Sequence, residues 1–229
     1  MKYLVFLILF LPSLSRSQTD FETAEKWYKV GNYNLAKPVF EKIARENPKH
    51  YKSIEYLGDI AGFSYDWNLA MSYFKTLKTA KPNDADVHFK YGVAISMIAK
   101  GNKFKAISLV GDIKTSFEKA IFINPKHVDS HWALIEYYLQ VPAILGGSQQ
   151  KATYYANQLA SISNVDGYLS KGRIAEHYKR YHAAEKYYRK AIDAGHSKTT
   201  YQRLADLYKN KMNSPEKARA VLEEYANKR

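Results

Sequence analysis

His127 and His131 stand four residues apart with Asp129 between them, a spacing at which two imidazoles on one helix face can share a metal ion. A zinc site needs three or four ligands. The chain has no cysteine, no HExxH motif and no evident third ligand beside this pair. Ordinary helix-end histidines are therefore expected. His177 and His182 are five apart and share a helix face poorly. Gly146-Gly147-Ser148 lacks the lysine that follows the glycines of a phosphate loop. It reads as a bent connection in which glycine supplies positive φ and Ser148 caps the next helix. No spacing supports a Ser-His-Asp triad or a catalytic carboxylate pair. The expectation is a non-enzyme with no catalytic residue, no metal and no cofactor.

The other candidate chemistry is recognition. The chain has 20 tyrosines. Pairs such as Tyr154-Tyr155 and Tyr187-Tyr188 put one ring into a helix interface and the other toward solvent, which is ordinary core filling. Only aromatics on the leading helix of each unit are left as binding candidates.

Those helices emerge from a repeat of 34 residues. Pro48 and Pro82 are 34 apart, as are Leu57-Gly58 and Tyr91-Gly92, Tyr33 and Trp67, Ala184 and Ala218, and Tyr188 and Leu222. A fixed period of this length marks stacked supersecondary units, each a pair of amphipathic helices. The second helices carry Ala36/Phe40/Ile43, Ala70/Phe74/Leu77, Ala152/Ala156/Leu159, Ala184/Tyr188/Ala191 and Ala218/Leu222/Tyr225, a four-then-three spacing that sets three residues on one face. Small alanines there let two helices approach closely. Pro125 falls nine residues late, so the third unit has either a longer second helix, with Phe117, Ala120 and Ile121 in its stripe, or a short extra helix. The turn of the fourth unit is swollen to Val141–Ser148.

These residues resemble the tetratricopeptide repeat (TPR) family over essentially all of Thr19 to Arg229, as five to six units. Ile135 replaces the family's glycine in the fourth unit and Ala156 its aromatic. The resemblance implies an all-α, right-handed solenoid whose leading helices line a concave groove for peptides or partner segments, and it implies no catalysis. Groove positions would hold Phe21, Glu25, Tyr28, Glu55, Tyr56, Asp59, Phe63, Phe89, Lys90, Trp132, Glu136, Arg173 and His177. Of these, Tyr28, Tyr56, Phe63, Phe89, Lys90, Trp132, Glu136, Arg173 and His177 are the candidate partner-binding set. The mixture is aromatic and doubly charged, unlike the Lys/Asn/Arg carboxylate clamp of one TPR subfamily, so that activity is not carried over.

Residues 1–17 read as a secretory signal peptide. Met1-Lys2 is a positive start, Tyr3 to Leu14 an apolar run, and Ser15-Arg16-Ser17 a cut site leaving Gln18 first. The run is too short for the roughly 20 residues that span a bilayer. No later segment is apolar enough, so the mature chain, a single solenoid domain over residues 18–229, is expected to be exported, periplasmic or secreted, with no transmembrane segment. The net charge of +13, or +11 without Lys2 and Arg16, favours acidic partners. For an exported chain nucleic acid is not among them. A protein or peptide partner, in an envelope-associated complex, is the primary expectation. Anionic envelope polymer or lipid headgroups are the alternative.

Overall fold

The computed structural model describes the backbone of residues 11–228 and the side chains of residues 18–228 apart from Lys103. The apolar start of the expected leader, residues 1–10, lies outside the described residues, as do the side chains to residue 17. Among the described residues there are twelve α-helices, one 3-10 turn and no strand. They are α1 (Leu11–Lys29), α2 (Tyr33–Glu46), α3 (Tyr51–Phe63), α4 (Trp67–Ala80), α5 (Ala85–Gly101), α6 (Lys103–Ile123), α7 (Val128–Gln140), α8 (Gln149–Ile162), α9 (Asn164–His177), α10 (Tyr181–Gly195), α11 (Lys198–Asn210) and α12 (Pro215–Asn227). No helix among the described residues is long and apolar enough to cross a membrane.

The chain divides into two compact units, residues 1–109 and 110–229, with the boundary inside α6. In the first unit α1 packs on α2, α2 on α3, α3 on α4 and α4 on α5. In the second α7 packs on α8, α8 on α9, α9 on α10, α10 on α11 and α11 on α12. The odd-numbered helices lead each pair. α7 and α11 also touch α9 directly.

The second-helix stripes form the contacts. Ala36, Ala70, Ala152, Ala156, Ala184 and Ala191 are all fully buried, beside Phe40, Phe74, Leu77, Leu159 and Tyr188. Glycine in the leading helix makes room for the aromatic of the second. A Cβ on Gly58 would lie 2.6 Å from the Phe74 ring, and one on Gly172 2.3 Å from the Tyr188 ring. Side chains close the exposed helix starts: His50, Asp66, Asp84, His127, Ser148, Ser163 and Ser197 each accept a backbone N–H of the first turn.

The late Pro125 comes from one long helix, α6, of 21 residues, rather than an added short one. The swollen turn holds a 3-10 turn over Ala143–Leu145. Gly146 there has φ +102°, and a side chain on Gly147 would collide with the Val141 carbonyl. In α12 the stripe is corrected: Val221 is buried and Leu222 is 40% exposed. Leu222 occupies the position of Tyr188, which is sealed among the side chains of α9 and α11; among the described residues no leading helix follows α12 to cover Leu222 in the same way.

Candidate functional site

The leading helices carry two polar clusters, one in each unit. In the first unit every cluster member is held by the neighbouring repeat. Tyr28 on α1 donates to Asp59 on α3 at 3.1 Å, and Tyr56 on α3 donates to Glu25 on α1 at 2.6 Å. Lys90 on α5 donates to both Glu55 and Asp59, at 2.7 and 2.8 Å. Glu55 also takes the Lys52 ammonium at 3.0 Å. The side chains of Lys90, Glu55 and Asp59 are mostly shielded, 24%, 19% and 15% exposed.

That shielding sets the titration. Burial pushes the Tyr28 hydroxyl up and the Asp59 charge adds to it. Burial does the same for Tyr56, reinforced by its bond to Glu25. For Lys90 burial works against the ammonium, yet Asp59 and Glu55 together hold its pKa above the ordinary value. For Glu55 burial works upward, and the hydrogen bonds and charges of Lys90 and Lys52 outweigh it, leaving the carboxyl below its ordinary range. The Tyr56 ring is buried against Phe21, Tyr28 and Phe40, with centroids 6.2, 4.3 and 5.0 Å away. Phe63 sits at the edge, 54% exposed, stacked 4.9 Å from Tyr33. Phe89 is half-buried beside Lys90 on α5. Each charge meets its opposite inside the cluster, so its chemistry is to hold α1, α3 and α5 in register.

In the second unit the cluster is open. The Trp132 indole N–H on α7 donates to Asp166 on α9 at 2.9 Å, and Asp166 also accepts the Ser163 hydroxyl at 2.6 Å. Arg173 on α9 grips Glu136 on α7 with two parallel bonds of 2.7 and 3.0 Å, the fork geometry that suits guanidinium and carboxylate. Tyr188 donates to Glu176 at 2.8 Å, and burial pushes its hydroxyl up. Trp132, Glu136, Asp166, Leu169, Arg173, Tyr188, Thr199 and Arg203 surround a cavity of 480 Å³. Arg203 on α11 is exposed and makes no hydrogen bond or ion pair with any described residue. A guanidinium with no carboxylate partner, lining the same cavity as the Trp132 indole, offers a charged anchor for a ligand.

The nine candidate residues therefore divide. Tyr28, Tyr56 and Lys90 meet in the first unit, with Phe63 at the rim and Phe89 alongside. Trp132, Glu136 and Arg173 meet in the second. His177 stands apart: it is exposed and its ring contacts Tyr178 edge-on at 4.9 Å. Arg203 was not among the sequence candidates, although the repeat frame contains the signal. It stands two residues before Ala205, as Lys90 stands two before Gly92.

His127 and His131 both turn Nδ1 to the backbone. His127 accepts from the Ser130 N–H at 3.1 Å, and His131 Nδ1 lies 3.0 Å from the His127 carbonyl. Among the described residues no three His, Asp or Glu side chains gather where a metal ion would fit.

A family model described as a tetratricopeptide repeat matches residues 165–194, which cover α9 and most of α10. No curated protein matches the chain in sequence. Among solved structures, TTC0263, a thermophilic TPR protein of Thermus thermophilus, is 18% identical with a TM-score of 0.66, covering 83% of this chain and 98% of that one. A tetratricopeptide repeat protein from Parabacteroides merdae is 14% identical with a TM-score of 0.67, over 92% of this chain and 79% of its own. YrrB, described as a TPR protein with an unusual peptide-binding site, is 12% identical with a TM-score of 0.56, over 79% and 87%. Residues 165–194 thus match the model of a tetratricopeptide repeat, and the chain shares its all-α repeat fold with solved TPR proteins.

Proposed function

We propose that this chain is a non-enzymatic interaction module whose second unit holds an extended segment of a partner protein, anchored by an acidic side chain on Arg203. The observation that carries the reading is the unpaired Arg203 guanidinium at the cavity beside Trp132. A partner carboxylate gains a charge-assisted hydrogen bond there. A neighbouring apolar side chain covers the half-buried Trp132 ring, the aromatic-plus-arginine composition typical of binding hot spots. Asp166 offers a carboxylate to a backbone N–H of the same segment. The TPR fold suits protein partners, and the peptide-binding site in the description of YrrB adds support by likeness of fold.

His177 takes a lesser part in this reading, and Tyr28, Tyr56, Phe63, Phe89 and Lys90 belong to the first unit. Export belongs to the proposal as well: the apolar run Tyr3 to Leu14 followed by Ser15-Arg16-Ser17 supports cleavage before Gln18 and an envelope location for the complex. Among the described residues the first-unit core includes Ala24, with Phe21 packed against it, and both lie beyond a cut before Gln18. Intact-mass measurement of the exported chain decides that part. A mass that retains Tyr3 to Leu14 rules the cut out.

The binding test is selection of a random-peptide library on the purified chain. Enriched peptides should carry Asp or Glu beside an apolar residue, and Arg203→Glu should abolish their enrichment. Enrichment of basic peptides, or of acidic ones that survive Arg203→Glu, overturns the reading.

A further inference from the structure

The first unit exposes its large apolar side chains at one edge only. The turns that join leading to second helices, at 30–32, 64–66 and 102, follow the C-termini of α1, α3 and α5. The turns that join each pair to the next, at 47–50 and 81–84, lie at the other ends of the same antiparallel helices. Among the described residues of this unit the exposed large hydrophobics are Val30, Leu35, Phe63, Tyr65, Phe104 and Ile107, at 78%, 47%, 54%, 79%, 89% and 62% exposure. All six stand within a few residues of the first set of turns, and none stands at the second set. Single exposed apolar residues are ordinary on a protein surface, but this confinement to one edge is not.

The charges at that edge are mostly positive. Lys26, Lys100 and Lys105 are exposed among the apolar residues, as is Lys29, whose ammonium is paired with Glu25 at 2.9 Å. The acid nearest these turns is Asp66, whose carboxylate is taken up by the Leu69 N–H. At the opposite turns Lys49 and Lys81 are mixed with Glu46, Asp84 and Asp86.

We infer that this edge of the first unit docks on the surface of a bilayer rich in anionic lipid. Phe, Tyr, Val and Ile side chains at turn tips can enter the boundary between headgroups and acyl chains without any helix crossing it. Lysines beside them meet the negative headgroup layer, and their methylene stems lie along the apolar side. Aromatic rings with a polar edge suit this depth. An acidic or mixed edge would be repelled or indifferent. The charge match here selects a lipid surface over a second copy of the chain, whose own edge carries the same positive sign. This edge shares no residue with the Arg203 cavity, so the two readings stand or fall independently.

The test is co-sedimentation of the full chain with vesicles, its N-terminus fixed by mass spectrometry to be the same in every variant. Vesicles of phosphatidylethanolamine with phosphatidylglycerol should carry the protein down, and phosphatidylcholine vesicles should do so far less. Tyr65→Ser with Phe104→Ser should lower the bound fraction strongly. Lys100→Glu with Lys105→Glu should weaken binding by at least about fivefold for each lysine removed. Lys49→Glu with Lys81→Glu makes the same change in net charge at the opposite edge and should leave binding near that of the wild type. These side chains are exposed apart from Lys81, which is half-buried beside the Tyr51 ring, and circular dichroism should show every variant folded. Equal loss from both lysine pairs overturns the inference in favour of diffuse charge attraction. Binding unchanged by Tyr65→Ser with Phe104→Ser also overturns it. So does a concentration-dependent dimer abolished by those two changes in a protein that ignores vesicles.

Discussion

Lys90 and Arg203 occupy the same station of the repeat, two residues before the small residue of their helices, yet they meet opposite company. On the preceding helix α3, the positions three before and one after Gly58 are Glu55 and Asp59, and both bind Lys90. On α9, the corresponding positions around Gly172 are Leu169 and Arg173. Leu169 carries no charge, and Arg173 is spent on Glu136, so Arg203 is left without a carboxylate partner, its charge felt by the Tyr188 hydroxyl. The backbone is common to both places; two side chains decide whether a cation closes a repeat interface or remains open to a ligand. On the function proposed above, such substitutions leave the first unit a clasp and make the second a receptor.

The largest expected effects fall on the closed side. Tyr56→Ala removes a ring packed by Phe21, Tyr28 and Phe40 together with the hydroxyl bound to Glu25, and should cost about 3–5 kcal/mol. Lys90→Ala leaves Glu55 and Asp59 facing one another with little water, and should cost about 3 kcal/mol. Arg203→Ala, by contrast, should stay within about 0.5 kcal/mol of the wild type, since it breaks no hydrogen bond or ion pair. Urea denaturation of the three variants measures this directly, and equal losses for Lys90→Ala and Arg203→Ala would erase the distinction between clasp and receptor.

The same contrast is visible in pH. The Glu55 carboxyl is lowered in the folded chain, so its contribution is present above its unfolded pKa of about 4.3 and fades as pH falls through the lower folded value. The Lys90 ammonium is raised, so its contribution is full below its unfolded pKa of about 10.4 and is lost as pH rises through the higher folded value. A Lys90→Ala variant should therefore show a smaller loss of stability on going to either extreme than the wild type does. Arg203→Ala should follow the wild-type profile.

Much of the scaffold was readable in the residues themselves. The alanine and aromatic stripes Ala36/Phe40/Ile43 and Ala70/Phe74/Leu77 repeat at a helical spacing, and they are buried because each unit can hide that face only against its neighbour. Leu222 shows where this reasoning stops. Its spacing matches Tyr188, but burial depends on a following helix, and a pattern within one segment carries no information about its neighbour. The site was legible only in part for a related reason. Trp132, Glu136 and Arg173 are among the positions the resemblance implied, and they do meet around one cavity. Which charges cancel, however, depends on pairs 31 to 37 residues apart, such as Lys90 with Asp59 and Arg173 with Glu136. Arg203 is conspicuous only after those pairings are known.

Smaller effects should follow from the close approaches that the units share. Gly58→Ala drives a methyl group into Phe74 and Gly172→Ala drives one into Tyr188. Each should lose about 1–3 kcal/mol through overpacking. Tyr188 is 1% exposed and fixed by Glu176, so it has less freedom to yield than Phe74 at 4%. Thermal melts should therefore place Gly172→Ala below Gly58→Ala. The reverse order would mean that the second unit, despite its open cavity, is the softer of the two.

The smallest expected effect tests whether the two scaffolds are the same where no ligand chemistry is involved. Tyr65 and Lys179 each stand seven residues after the glycine of their leading helix and both adopt left-handed backbone, with φ of 61° and 58°. A side chain in that region costs roughly 1 kcal/mol that glycine avoids, although glycine also frees the unfolded chain. Lys179 has no hydrogen bond or ion pair through its side chain, so Lys179→Gly should gain about 0.5 kcal/mol. Tyr65→Gly gives up the ring contact with Trp67 at 6.3 Å and should gain less, or nothing. Paired denaturation curves resolve the difference. If Lys179→Gly loses stability while Tyr65→Gly gains it, the turns are held differently in the two units, and the contrast between Lys90 and Arg203 would no longer be a matter of two side chains on a common frame.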